Sequence, residues 1–202
     1  MNEARRRLVD ELYAKSREHD ESRSDRLERF RNVEPPTAEL LGVLIRATGA
    51  KRILELGTSN GYSTLWLADA AQETGGAVVS VDVDAGRTEL ARSNLRRAGL
   101  EAVVELRTED AAATLGGSGD SQWELVFLDA ERPAYAGYLR DLVRTLAPGG
   151  LLAVDNVRSH GHELAAFTSL IEAEPALTNA VVPVGAGLRL AVLDRRPQRS
   201  MS

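Results

Sequence analysis

Short apolar runs alternate with amphipathic segments along most of the chain from Lys51 onward. Such runs, rich in valine, isoleucine and leucine, are typical of buried parallel strands, and the periodic segments between them are typical of covering helices. The predicted strands are Arg52–Leu56, Ala77–Val81, Ala102–Leu106, Glu124–Leu128 and Leu151–Val154. The predicted helices are Gly61–Gln72, Ala85–Ala98, Asp110–Leu115, Ala134–Leu146 and His162–Ala173.

The chain then continues with two β-type runs, Ala180–Val184 and Leu188–Leu193, on either side of Gly185-Ala186-Gly187. Two apolar runs joined by a glycine-containing turn predict a β-hairpin. The five βα units and this hairpin together predict an α/β fold of the Rossmann-like kind. We expect a mostly parallel seven-stranded sheet with a C-terminal antiparallel hairpin and helices on both faces.

The N-terminal residues 1–32 are polar, and their apolar positions fall on one helical face: Leu8, Val9, Leu12 and Tyr13. This spacing predicts a helical arm whose charged face is solvated. Two prolines at 35 and 36 interrupt the arm, and Thr37 is a candidate N-cap for a helix over Ala38–Thr48. We therefore expect a helical arm in residues 1–32 and a main domain in residues 33–202.

Composition narrows the class of protein. A chain of 202 residues is the size of one domain, and a formal net charge of −5 argues against a nucleic-acid partner. The absence of cysteine excludes disulfides, thiolate metal sites and a cysteine nucleophile, and it fits the cytoplasm. No apolar stretch is long enough for a membrane span or a signal-peptide core, so we expect neither a membrane nor a secretory segment.

A glycine turn follows the first predicted strand, in Glu55-Leu56-Gly57-Thr58-Ser59-Asn60-Gly61. Glycines at the start of a helix let a ligand approach the backbone amides closely. The spacing is neither the G-x-G-x-x-G of dinucleotide enzymes nor a phosphate-binding loop with Gly-Lys-Ser/Thr. Because glycine also occurs in such turns for conformational reasons alone, this motif by itself leaves a ligand site and a structural turn both open.

Acidic residues follow the next two strands. Asp82 ends the second strand, where a carboxylate can accept hydrogen bonds from both hydroxyls of a ribose. The alternative is that Asp82 or Asp84 caps the following helix, a role that suits Asp84. Asp110 and Ala111 follow the third strand, where an adenine could lie. Three successive strand ends therefore suit a nucleoside.

The fourth and fifth strands also end in oxygen-bearing side chains. Asp129 ends one strand, and Asp155 and Asn156 end the other. If the strands are parallel neighbours, two carboxylates and one amide oxygen meet at one edge of the sheet, and this set suits Mg²⁺ or Ca²⁺. The alternative is that these side chains only cap the segments that follow.

In this order the motifs resemble the cation-dependent O-methyltransferase family that includes catechol O-methyltransferase and caffeoyl-coenzyme A O-methyltransferase, which has the class I methyltransferase fold. The resemblance runs from about Val33 to Leu193. It rests on Ile53-Leu54-Glu55-Leu56-Gly57, Gly61-Tyr62-Ser63, Val81-Asp82, Phe127-Leu128-Asp129, Val154-Asp155-Asn156-Val157 and Pro183-Val184-Gly185.

The resemblance implies binding of S-adenosylmethionine and methyl transfer to a hydroxyl of a small, catechol-like aromatic, by a homodimer. The implied cofactor-binding residues are Val33, Glu55, Gly57, Thr58, Gly61, Ser63, Asp82, Asp110, Ala111 and Asp129. The implied ligands of Mg²⁺ or another divalent cation are Asp129, Asp155 and Asn156. Asp129 is thus also a catalytic candidate, because the ion would bind the acceptor oxygens.

The chain departs from the family in two places. Arg132 stands where well-known members have a lysine, and an arginine cannot act as a general base near neutral pH. Arg132 is therefore a candidate for stabilising an anion, and the proton acceptor is left among water, His160, His162 and Glu131. The segment after Asn156 is also short, so the substrate of plant members cannot be carried over.

Two other functions remain open at this point. An N-methyltransferase often has an Asn/Asp-Pro-Pro-aromatic run after the fourth strand, and Asp129-Ala130-Glu131-Arg132 does not match it. A binding protein that keeps the cofactor site without catalysis is the second alternative, because Arg132 replaces the family's lysine.

Overall fold

The computed structural model describes residues 1–159 and 161–195. The α-helices in these residues are α1 (Glu3–Glu21), α2 (Pro35–Thr48), α3 (Tyr62–Thr74), α4 (Ala85–Ala98), α5 (Ala111–Gly117), α6 (Tyr135–Thr145) and α7 (Ala165–Ala173). The strands are β1 (Arg52–Leu56), β2 (Ala77–Asp82), β3 (Val104–Thr108), β4 (Trp123–Leu128), β5 (Leu146–Val154), β6 (Leu177–Val182) and β7 (Leu188–Leu193). None of these helices is long and apolar enough to cross a membrane.

The strands form one seven-stranded sheet in the order β3-β2-β1-β4-β5-β7-β6. Neighbours from β3 to β5 are parallel, whereas β7 runs antiparallel to both β5 and β6. The predicted fold is confirmed. Because the chain passes from β1 outward to β3 and then returns to β4, the strand order switches between β1 and β4, the place where ligands bind in such sheets.

The sheet is buried on both faces because successive side chains of a strand point to opposite sides. Ile53 and Phe127 belong to the core on one face, and Leu54 and Val126 belong to the core on the other. All four side chains are fully buried. This two-sided burial is the physical reason why the strands read as continuous apolar runs in the sequence.

The N-terminal helix α1 packs on the body of the protein through the apolar face that its spacing predicts. Leu8, Val9 and Leu12 are buried in the same core as Ile53. At the rim, Arg5 donates from Nη1 to Oδ1 of Asp69 over 2.8 Å. Residues 1–32 therefore share a core with the main domain, and only the opposite face of α1 is solvated.

Several predicted boundaries are wrong by a few residues. Helix α2 begins at Pro35, with Glu34 at its N-cap, and Thr37 lies buried inside the first turn. Proline suits this place because it lacks an N–H that the first turn leaves unpaired and already has a helical φ. Strand β5 begins at Leu146, five residues before the predicted start. Its pairing with β4 shifts register between Trp123 and Leu125.

The other shifts follow from local caps and turns. Gly61 and Asp110 cap α3 and α5 and are not their first residues. Strand β3 begins two residues later than predicted because Glu101–Val103 forms a short 3₁₀ turn. Strand β6 begins three residues earlier than predicted, and helix α7 begins at Ala165, after the predicted start at 162.

Candidate active site

A cavity of about 730 Å³ lies beyond the carboxyl ends of the central strands. Residues 26–33, here called the covering segment, line it with all their side chains except that of Glu28, together with residues at the ends of β1, β2 and β4. Ser59 donates from Oγ to the backbone oxygen of Phe30 over 2.9 Å, and Arg87 donates from Nη2 to that of Arg29 over the same distance. These bonds fix the covering segment over the glycine turn.

The turn after β1 requires glycine at two positions. Gly57 has φ +108°, and a Cβ there would lie 2.2 Å from the backbone oxygen of Asp129. Gly61 has φ +84°, and a Cβ there would lie 2.9 Å from Cβ of Ala91. Only glycine tolerates both the left-handed φ and the close approach. The turn can therefore lie against the end of β4, and Gly57 lines the cavity.

Glu55 lies behind this turn and is fully buried. Its carboxyl accepts hydrogen bonds from the hydroxyls of Ser63, Thr64 and Ser80. Burial raises the pKa of Glu55 to about 7, although the three hydroxyls oppose that rise. Ser80 also shares a 2.6 Å hydrogen bond with Thr58. Glu55 thus fixes Ser63, which lines the cavity, through a buried hydroxyl network.

Asp82 is oriented by the backbone around it. Oδ2 accepts from the N–H of Ser59 over 2.8 Å, and Oδ1 accepts from the N–H of Asp84 over 3.0 Å. The helix cap is Asp84, whose side chain accepts from the N–H of Arg87, as predicted. Asp82 lines the cavity, and its carboxylate can accept from further donors because each oxygen has two lone pairs.

Asp110 and Ala111 line the same cavity at the end of β3. The Asp110 side chain caps α5 by accepting from the backbone N–H groups of Ala112 and Ala113. Tyr138 of α6 also lines this part of the cavity. This end combines a small side chain, an aromatic ring and a carboxylate, which suits a planar base.

Two carboxylates and an amide meet at the ends of β4 and β5. Asn156 donates from Nδ2 to Oδ1 of Asp129 over 3.2 Å and to Oδ2 of Asp155 over 2.9 Å. Burial raises the pKa of both carboxyls, and the Asp129 charge raises that of Asp155 further. Oδ1 of Asp155 is buried and has no hydrogen-bond partner among the described residues.

Arg132 lies beside this group and is only 5% exposed. Its Nε donates to Oε2 of Glu163 over 2.8 Å. In the described part of the chain, neither terminal nitrogen of Arg132 has a hydrogen-bond partner, and the residue lines the cavity with Asp129 and Asn156. The guanidinium is therefore held at one nitrogen and presents the other two for a ligand.

Glu131 joins the covering segment to the end of β4. It accepts from Nη2 of Arg26 over 2.9 Å and from Nη2 of Arg31 over 2.6 Å. Arg26 also lies 3.7 Å from Glu163. Arg31 has a positive φ of 53°, and its buried Nε has no partner among the described residues. Sequence reasoning missed Arg26, Arg31 and Glu163.

The cavity wall contains most of the predicted site residues: Val33, Gly57, Ser63, Asp82, Asp110, Ala111, Asp129, Arg132 and Asn156. Four other predicted site residues are buried and do not line the cavity: Glu55, Thr58, Gly61 and Asp155. His162 is 82% exposed and its Nε2 is 3.9 Å from Glu163. His160 lies outside the described residues, and its predicted role stays a prediction.

The sequence of this chain matches a known protein family over most of its length. Residues 20–192 match the sequence model of a family described as O-methyltransferase. The chain belongs to this O-methyltransferase family, and the predicted resemblance is confirmed.

A catechol O-methyltransferase of Niastella koreensis is 35% identical over 136 residues, which cover 66% of this chain and 61% of that protein. The chain thus spans about three fifths of the length of that curated relative. Among solved structures, an O-methyltransferase from Bacillus cereus in complex with SAH has a TM-score of 0.78 and 27% identity, and the match covers 93% and 90% of the two chains. TomG, an O-methyltransferase from Streptomyces achromogenes in complex with SAM, has a TM-score of 0.77 and 27% identity over 96% and 91%.

Proposed function

We propose that this protein transfers a methyl group from S-adenosylmethionine to a hydroxyl of a small, catechol-like aromatic, with the help of a divalent cation. The proposal rests on one observation: a single cavity joins the glycine turn and Asp82 at one end to Asp129, Asn156 and Arg132 at the other. The first end suits a nucleoside cofactor, and the second suits an acceptor that carries oxygen. The names of the relatives and the bound SAH and SAM of the neighbours support the same proposal.

The cofactor end supplies the small residues and the hydrogen-bond acceptors that S-adenosylmethionine would need. Asp82 would accept hydrogen bonds from the ribose hydroxyls, because its carboxylate is already fixed by two backbone donors. Ser63 and Gly57 would border the methionine part, and Asp110 and Ala111 the adenine. The small residues leave room, and the carboxylates supply the acceptors.

The donors at the acceptor end fit a hard divalent ion. The proposed ligands are two carboxylates and one amide, those of Asp129, Asp155 and Asn156. The residues described contain no trio of His, Cys, Asp or Glu placed to hold a metal. The buried, unpartnered Oδ1 of Asp155 is the observation that favours an ion. Rotation of the amide would present Oδ1 of Asn156 in place of its N–H group. A bound divalent ion supplies Lewis acidity, which lowers the pKa of a coordinated hydroxyl.

Arg132 has a role other than that of a base. Its guanidinium stays protonated near neutral pH, so it donates to an anion and cannot accept a proton. Glu131 is occupied by Arg26 and Arg31, and His162 is 82% exposed. Water is therefore the proposed proton acceptor, and His160, outside the described residues, stays a predicted alternative. Arg132 then stabilises the acceptor as an anion, and positioning of the oxygen against the methyl group supplies much of the remaining rate.

The experiment is methyl transfer from S-adenosylmethionine to a panel of vicinal diols, with EDTA and with added Mg²⁺ or Mn²⁺. We expect turnover that EDTA abolishes and the metals restore. Asp155→Asn should lose most activity, whereas Asp120→Asn, at an exposed aspartate outside the cavity, should not. Full activity of Asp155→Asn together with resistance to EDTA would contradict the metal-dependent mechanism.

We also propose a cytoplasmic homodimer. The absence of cysteine fits a reducing compartment, and homodimers are the commonest soluble assemblies. Sedimentation at several protein concentrations tests the assembly, and a constant monomer mass would contradict it.

A further inference from the structure

The acceptor end of the cavity carries more positive than negative side chains outside the aspartate pair. Arg26, Arg31 and Arg132 surround it, and the carboxylates paired with them are Glu131 and Glu163. The cofactor end is acidic instead, because the carboxylates that line it outnumber the arginines there: Asp82, Asp84, Glu109 and Asp110 against Arg29 and Arg87. The charge of one cavity therefore changes sign along its length.

Two of these arginines retain unused donors. Arg132 is almost fully buried, and its two terminal nitrogens have no hydrogen-bond partner in the described residues. Arg31 also lines this cavity, and its buried Nε has no partner among the described residues. Among these donors only Nε of Arg31 is buried, and the terminal nitrogens of Arg132 remain available at the cavity without an acceptor in the described part of the chain. Donors without protein acceptors beside one cavity suit a ligand that carries a negative charge. Guanidinium groups bind planar carboxylates through two parallel hydrogen bonds.

A phenolate on the acceptor would not by itself neutralise the positive charge of these arginines throughout the reaction. Methyl transfer consumes the phenolate and the sulfonium charge together: the oxygen forms a bond to the methyl carbon, and the bond from that carbon to sulfur breaks. A divalent ion held by Asp129 and Asp155 would balance the charge of these two carboxylates. The excess arginine charge then persists in the product complex unless the acceptor has another group that stays anionic.

The geometry points to an acceptor that carries a carboxylate on the same aromatic ring system as its vicinal oxygens, with Arg31 and Arg132 binding that carboxylate. This inference rests on the proposed function and adds the acidic class of its substrate. Glu163 is then a positioning residue, because it holds Nε of Arg132 and leaves the terminal nitrogens for the ligand.

The test compares 3,4-dihydroxybenzoate with 3,4-dihydroxybenzamide, which have nearly the same shape and differ in charge. We expect the acid to have a kcat/KM at least about tenfold higher, mostly through KM, which corresponds to about 1.4 kcal/mol. Because the two substituents also change the phenol pKa, affinity for each is measured calorimetrically in the presence of S-adenosylhomocysteine and MgCl₂. The same preference for the acid should appear without turnover.

Arg31→Gln should reduce the preference for the acid to within about threefold of unity, because it removes one charge-assisted contact. Arg23→Gln is the matched control, since Arg23 precedes the covering segment and is paired with Glu28. That variant should keep the wild-type preference. Thermal melting of both variants establishes that they are folded.

The outcomes separate this inference from the proposed function. If the amide is methylated and bound as well as the acid, the methyltransferase proposal stands and the acidic substrate class is wrong. A preference for the acid that Arg31→Gln leaves unchanged would overturn the role of Arg31. If neither compound is methylated or bound, both the catechol-like acceptor and its acidic form are wrong.

Discussion

The two ends of the cavity are built in different ways. The cofactor end is formed by backbone: the Gly57 turn packs against the Asp129 carbonyl, and two N–H groups fix Asp82. The acceptor end is formed by charged side chains from segments far apart in the chain, such as Arg31 and Glu131. The first end is therefore preformed, and the second depends on ion pairs that ligands and salt can change.

This difference predicts different sensitivities. Backbone packing tolerates no added atom, whereas partly exposed ion pairs contribute little to folding but set how a ligand is held. Substitutions in the glycine turn of the cofactor end should therefore damage folding and cofactor binding together. Substitutions at the acceptor end should change ligand binding with little cost in stability.

The largest effect is expected from Gly57→Ala. The new Cβ would lie 2.2 Å from a backbone oxygen at φ +108°, so the chain must shift, and we expect a loss of more than about 3 kcal/mol in unfolding free energy. Gly75→Ala is the matched control, because Gly75 also has a positive φ but nothing lies within 4 Å. It should cost only about 1–2 kcal/mol. Urea denaturation measures both, and equal losses would contradict the close packing.

Asp82→Ala should have the next largest effect, and on binding more than on folding. It removes the charge-assisted hydrogen bonds to the ribose, worth roughly 1.5–3 kcal/mol, or about ten- to a hundredfold in affinity. Calorimetric titration with S-adenosylhomocysteine measures this loss. An affinity equal to that of the wild type would remove Asp82 from the cofactor site.

The smallest effect is expected from Glu131→Gln, which weakens two ion pairs of the covering segment at once. Because these pairs are partly exposed, the unfolding free energy should fall by less than about 1 kcal/mol. The dissociation rate of S-adenosylhomocysteine should rise a few-fold, measured by stopped flow, and high salt should produce the same rise in the wild type. A loss of stability like that of Gly57→Ala would contradict the contrast between the ends.

The fold was largely predictable because its strands are buried on both faces and the helices between them are amphipathic. Helix α4 has the predicted bounds. The start of β5 was not predictable, because Pro148, Gly149 and Gly150 look like a turn while the pairing of Leu146 with Trp123 extends the strand. Such pairing depends on a neighbouring strand that local propensity does not include.

The site residues that follow strand ends were the ones that spacing along the sequence could predict. Asp82, Asp129 and Asn156 follow strand ends, and all three line the cavity. Arg31 and Glu163 do not directly follow a strand end. Arg31 contacts Glu131, which lies one hundred positions later in the chain, and Glu163 lies between β5 and α7. In a chain whose basic residues are almost all arginine, composition does not distinguish these arginines from surface ones.

The most direct test of this account is calorimetric binding of S-adenosylhomocysteine and of a vicinal diol, each in EDTA and in MgCl₂. A preformed cofactor end predicts that S-adenosylhomocysteine binds in EDTA within about threefold of its affinity in MgCl₂. A metal-dependent acceptor end predicts that the diol binds only with Mg²⁺, measured in the presence of S-adenosylhomocysteine. Loss of S-adenosylhomocysteine binding in EDTA, or equal binding of the diol in both buffers, would contradict the account.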